Sequence, residues 1–181
     1  YLAEFLSENP DIILEVFYLN QELDLVSDFF DLVVINYMPT QQAVKIKKLA
    51  TLSFGFYCAP SYIEKYGEPT SLLTSSEKHL FLGSIKDNLT IMNVYPVRNI
   101  ATGEVINLKY QARLYFNSAA HSIPIIKNGY AIAPALMSSV EKMIARGELV
   151  QILPNYRAEL SYYLVKLNTT NSVIFNKLTN F

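Results

Sequence analysis

The sequence predicts an α/β fold, and three observations carry the prediction. Helical and strand-like patterning alternate over residues 2–36, in the rhythm that builds layered helix-and-sheet domains. FDLVVIN at 30–36 is a continuous apolar run, as a parallel strand covered on both faces presents. The hydrophobic fraction of 51% against a charged fraction of 17% belongs to a well-buried globular chain. At 181 residues there is room for one substantial domain or two small lobes.

Leu2, Phe5 and Leu6 share one helical face over 2–9, and Asn9-Pro10 stops that helix. The apolar, β-branched and aromatic run at 12–19 reads as a strand. Asn20 then caps a short helix through Ser27, with Leu23 and Val26 facing inward. An α/β half usually opens on a strand, so a first strand is expected upstream of Tyr1. From 43 to 58 the period changes to two. Val44, Ile46, Leu52, Phe54, Phe56 and Cys58 alternate with Lys45, Lys47, Thr51, Ser53 and Tyr57, giving strands with one apolar face.

Pro60 suits the first turn of a short helix that Gly67 closes. HLFL at 79–82 reads as a short strand, and the stretches 88–99 and 105–116 flank a hairpin turn near Gly103. Asn117 or Ser118 caps a helix running to Asn128-Gly129, where Pro124 imposes a kink or a late start. A buried strand over 130–134 follows, then a helical stripe of Leu136, Val140, Met143 and Ile144 ending at Gly147. Strands over 149–153 and 160–167 come next. Asn171 or Ser172 caps a last helix with Ile174, Leu178 and Phe181 on one face. No repeat, low-complexity tract or long linker interrupts the order.

Charge and composition exclude several function classes. Fifteen basic against sixteen acidic residues give a net charge of −1, which offers no electrostatic footprint for a nucleic-acid backbone. No apolar run approaches the roughly 18–20 residues that span a bilayer. One cysteine forms no internal disulfide and suits a reducing compartment. Metal-ligand spacing is absent, and the acidic pairs Asp28/Asp31 and Glu22/Asp24 suit a solvated helix face. No glycine-rich phosphate loop occurs, and no cofactor is implied.

Cys58 could act as a nucleophile with His79 or His121 as its base. Inert packing is the stronger reading, because Cys58 continues the apolar face of Leu52, Phe54 and Phe56 and no helix N-terminus lowers its pKa. His79 follows a polar turn and suits a structural hydrogen bond. His121 lies just inside a helix start, facing either a ligand or solvent. Among the thirteen tyrosines, Tyr37 is singled out because it follows the strand at 30–36, where α/β sheets display ligand-binding loops.

FLSENPDIILEV, FFDLVVI and LATLSFGFYCAPSYIEKYGEPTSLL stand in order along the first half, and FNSAAHSIPIIKNGYAIAPALMSSVEKMIARGELVQILPNY in the second. This ordered set resembles the effector-binding domain of LysR-type transcriptional regulators, over essentially the whole chain. Two positions depart from the family pattern. Tyr130-Ala131 replace its second glycine after Gly129, and Ala59 stands where a serine is frequent.

The resemblance implies the fold of type 2 periplasmic binding proteins: two Rossmann-like lobes joined by two crossover strands, with lobe I over 1–58 plus 155–181 and lobe II over 59–154. It implies a cytoplasmic, non-enzymatic, ligand-sensing domain that binds a small effector between the lobes and assembles as a homodimer or tetramer. DNA would be bound through a winged helix-turn-helix upstream. Carried over by position, the effector site takes Asn36, Tyr37, Cys58, Ala59, Asn117 and Ser118, with Asn20 at the end of the preceding strand. Asn117 and Ser118 at a helix N-terminus favour an anionic group, hence a carboxylate-bearing effector. The rival expectations are a transport-type solute-binding protein of the same fold and a Cys58-dependent enzyme.

Overall fold

The computed structural model describes residues 2–17, 30–39, 44–72, 78–85, 90–92, 94–110, 112–168 and 176–177. The chain divides into two units, one of Tyr1–Ala50 with Ser161–Phe181 and the other of Thr51–Leu160. Both divisions fall inside long strands, β2 (Val44–Cys58) and β10 (Tyr156–Leu167), so the backbone passes from unit to unit twice without a loop.

In unit 1, helix α1 (Leu2–Glu8) buries Phe5 alone. Leu2 and Leu6, expected on the same inward face, are exposed. Asn9 closes the helix: its side-chain Nδ2 donates to the Phe5 carbonyl at 2.8 Å, before Pro10 removes the next donor. Residues 12–17 form no strand, which corrects the expectation for that part of the 12–19 run. A strand exists only where a neighbour completes its ladder, and none of the described residues does so here. The helix expected after Asn20 lies outside the described residues, as does most of the last helix.

Strand β1 (Val33–Ile35) pairs antiparallel with β10, Val33 opposite Val165 and Ile35 opposite Tyr163. The parallel strand covered on both faces is therefore corrected. Val33 and Ile35 join Val165 in a small core, while the pleat turns Val34 to the other face, where it is exposed. An apolar run signals burial but does not choose its partner.

In unit 2, the end of β2 pairs with β8 (Ala133–Leu136) on one side and β9 (Val150–Ile152) on the other, both antiparallel. The start of β10 pairs with β5 (Val94–Asn99), which pairs with β6 (Val105–Lys109), giving the order β6-β5-β10-β2-β8. A smaller sheet has the order β4-β3-β7, with β3 at Gly83–Ile85, β4 at Ile91–Met92 and β7 at Tyr115–Phe116. The strand expected over 79–82 thus begins later, and within that stretch Phe81 makes one parallel bridge to Ile132. The Leu80 N–H is instead taken by the Tyr62 hydroxyl at 3.0 Å.

The local signals hold. Helix α2 (Pro60–Tyr66) starts at its proline, and Gly67, at φ 81°, donates its N–H to the Ile63 carbonyl at 2.8 Å. The β5–β6 hairpin turns at Gly103, whose φ of 76° a side chain would resist, and Asn99 Oδ1 accepts the Ala101 N–H at 3.0 Å. The helix after Ser118 starts late, as Pro124 requires. A 3-10 turn at Ala119–His121 precedes α3 (Ser122–Lys127). Helix α4 (Met137–Ala145) buries Val140 and ends as the Gly147 N–H reaches the Ile144 carbonyl.

Two cores flank the main sheet of unit 2. Phe56 and Cys58 point into one, with Tyr62, Phe81, Val97, Leu108 and Ile152. Tyr57, between them on the strand, points into the other, with Ile126, Ala133, Ala135, Val140 and Leu149. Both faces of this strand end are therefore buried, where the sequence promised one.

Candidate functional site

The structure distributes the expected site residues over both units. Asn36 is exposed at the end of β1, and Tyr37 beside it is half-buried against the Val33–Ile35–Val165 cluster. Asn20 lies outside the described residues. Cys58 is the last residue of β2 and Ala59 leads into α2 in extended conformation, both buried. Asn117 is exposed after β7. Ser118 is half-buried, and its carbonyl accepts the His121 N–H at 3.2 Å. The 3-10 turn corrects the expected cap, because α3 begins only at Ser122 and its N-cap position, His121, makes no side-chain cap bond.

Strand register separates the two groups within unit 2. β8 runs antiparallel to β2, so the end of β2 lies beside the start of β8, with Tyr57 opposite Ala133. Phe81 runs parallel to Ile132, and β3 runs parallel to β7 with Gly83 opposite Tyr115. Cys58 and Ala59 therefore stand at one end of this row and Asn117 and Ser118 at the other. At ~3.3 Å per residue the separation along the strands is about 13 Å. Asn117 is level with Phe54, close to where β2 enters the unit. Cys58 is at the far end.

The thiol is chemically quiet. Burial, with the negative charge of Glu68 adding to it, pushes the Cys58 pKa up to about 12, so the thiolate that nucleophilic chemistry needs is absent near neutrality. His79 is no base for it. Its Nδ1 lies 3.3 Å from the Tyr62 hydroxyl, and its pKa is lowered by burial and then by Lys78. Since the Tyr62 oxygen already accepts from Leu80, its hydrogen is free to point at a neutral Nδ1. His79 is a structural hydrogen-bonding residue, and His121 is exposed against the edge of Phe116. Among the described residues no group of His, Cys, Asp or Glu is arranged to hold a metal ion, and no helix is long and apolar enough to cross a membrane.

Two charged features escaped the sequence reading. Glu148 is held down to about 2 by hydrogen bonds from Arg146 and Lys127, tying the end of α4 to α3. Arg98 and Arg157 face each other across the β5–β10 ladder. The Arg146–Glu148 contact is local, but the Lys127–Glu148 pair and the Arg98–Arg157 opposition each depend on a pairing between segments distant in sequence.

No family model matches the chain. Among solved structures, the regulatory domain of AphB from Vibrio vulnificus superposes with a TM-score of 0.79 at 19% identity, covering 99% of this chain and 90% of that one. The CrgA regulatory domain, a LysR-type transcriptional regulator from Neisseria meningitidis, gives 0.73 at 19% identity, over 99% of this chain and 87% of that one. The fold is that of a LysR-type regulatory domain. A curated relative, an uncharacterized HTH-type transcriptional regulator of Haemophilus influenzae, is 26% identical over 159 residues, 87% of this chain and 53% of that protein. The chain spans about half the length of the curated relatives that match most of it.

Proposed function

We propose that this chain is the effector-sensing part of a LysR-type transcriptional regulator, not an enzyme. Units 1 and 2 are its two lobes, and a small carboxylate-bearing effector binds between them. Asn36 and Tyr37 serve the site from unit 1, and Asn117 and Ser118 from unit 2. Cys58 at the end of β2 and Ala59 leading into α2 support it as packed residues rather than as polar contacts. Binding shifts the balance between lobe arrangements and, through a cytoplasmic homodimer or tetramer, changes how a DNA-binding domain elsewhere in the protein engages its operator. The observation that carries this reading is the likeness to LysR-type regulatory domains over 98–99% of the chain, joined by curated relatives that are HTH-type regulators.

The test is a thermal-shift screen of small carboxylates at constant ionic strength. A ligand at about one hundred times its Kd stabilises by about 2.7 kcal/mol, which raises the midpoint of a chain this size by about 5–10 °C. Asn117→Ala with Ser118→Ala should remove the response. If no carboxylate shifts the midpoint, and a secretion signal instead of a DNA-binding domain precedes this segment in the whole protein, the reading fails.

A further inference from the structure

We propose that unit 2 carries an oxyanion-binding site on the face of its main sheet that Gln151 shares, built by Arg157 of β10 and Arg98 of β5. The two arginines are directly paired across an antiparallel ladder. Their side chains therefore leave the same face, from Cβ atoms about 4.5–5.5 Å apart. Like charges opposed in this way repel and cost stability unless an anion lies between them.

The described residues supply little of that anion. Glu159 approaches Arg98 Nε only to 3.6 Å, and both side chains are close to half exposed. Arg98 spends Nη1 on the Gly103 carbonyl at 3.1 Å. Arg157 meets no carboxylate among the described residues. Its fork is held by neutral oxygens: the Tyr156 carbonyl accepts from Nη1 at 3.0 Å. The Gln151 side-chain oxygen, with the amide turned to satisfy both neighbours, accepts from Nη1 at 2.7 Å and Nη2 at 3.0 Å.

Neutral acceptors fix a guanidinium's plane without cancelling its charge, which is the preorganised state that planar oxyanion recognition uses. Gly55 belongs to the same arrangement. A Cβ there would stand 2.8 Å from the Tyr57 hydroxyl and 3.0 Å from the Gln151 amide, so a side chain would crowd both Tyr57 and the residue that holds Arg157.

The ligand is an oxyanion group, a carboxylate or a phosphate. The site stands on unit 2 alone and does not depend on an effector between the units. Isothermal titration of the chain with inorganic phosphate and with succinate, at constant ionic strength made up with chloride, separates the two sources. Binding of phosphate only assigns a phosphorylated ligand, binding of succinate a carboxylate, and either carries the proposal. Affinity should fall about tenfold or more in Arg157→Gln and Arg98→Gln and stay unchanged in Arg113→Gln, an exposed arginine elsewhere on the unit. Should Arg157→Gln fail to fold, Gln151→Glu keeps the arginine and gives it an internal counter-ion, which should abolish binding in a folded chain. Undiminished binding in Gln151→Glu or Arg157→Gln, or absence of binding by both anions in the wild type, overturns the site.

Discussion

Tyr62→Phe removes one oxygen atom from the core of unit 2 and leaves its shape intact. Tyr62 is 1% exposed. Its hydroxyl accepts the Leu80 N–H at 3.0 Å and lies 3.3 Å from His79 Nδ1, so it joins α2 to the segment leading into β3. Phenylalanine fills the same space but leaves that N–H without a partner, away from water. An unsatisfied buried donor costs about 1–3 kcal/mol, with the apolar packing unchanged. Unit 2 holds about 110 residues, for which a urea m-value of about 2 kcal/mol/M is expected. The unfolding midpoint should therefore fall by about 0.5–1.5 M at constant m, followed by far-UV circular dichroism because the chain has no tryptophan. Tyr66→Phe is the matched control. Its ring lies 4.8 Å from that of Tyr62 on the same helix but is 50% exposed, and its midpoint should stay within about 0.3 M. Equal shifts for the two variants, or no shift for Tyr62→Phe, would refute the account of α2 docking.

Two further outcomes follow from the same core. The His79 pKa is lowered in the folded chain, so its neutral form contributes stability that is complete above the unfolded value of about 6.5 and is lost as pH falls through the lowered one. Urea midpoints measured from pH 8 down to pH 5 should drop more steeply for the wild type than for His79→Asn; parallel curves would remove the linkage. Cys58, fully buried and pushed up to about 12, should resist iodoacetamide at pH 7 in the folded chain and react at once in urea. Rapid modification of the native chain would reopen the enzymatic reading.

Much of the fold was legible wherever the signal was local. Pro60 and Gly67 bracket α2, Gly103 turns the hairpin, and Pro124 delays α3, each through backbone chemistry confined to a few residues. What failed was partner choice. The apolar run at 30–36 gave no means of knowing that Val33 would face Val165 in an antiparallel ladder, or that Val34 would be exposed. Residues 12–17 look as strand-like as 33–35, yet among the described residues only the latter find a neighbour. The same limit governs the candidate sites. The packed, unreactive nature of Cys58 followed from the alternation in its own strand. The distance between Cys58 and Asn117, and the opposition of Arg98 and Arg157, exist only once register is fixed.

The sealed thiol at the end of β2 has a practical consequence. A chain whose only cysteine is inert already behaves as a cysteine-free background for labelling at neutral pH. A cysteine placed at exposed Lys45 of unit 1 or Lys142 of unit 2 would take a dye or spin label at neutral pH with no need to mutate position 58. Paired labels, one on each unit, would then test the proposed effector-linked rearrangement without altering position 58.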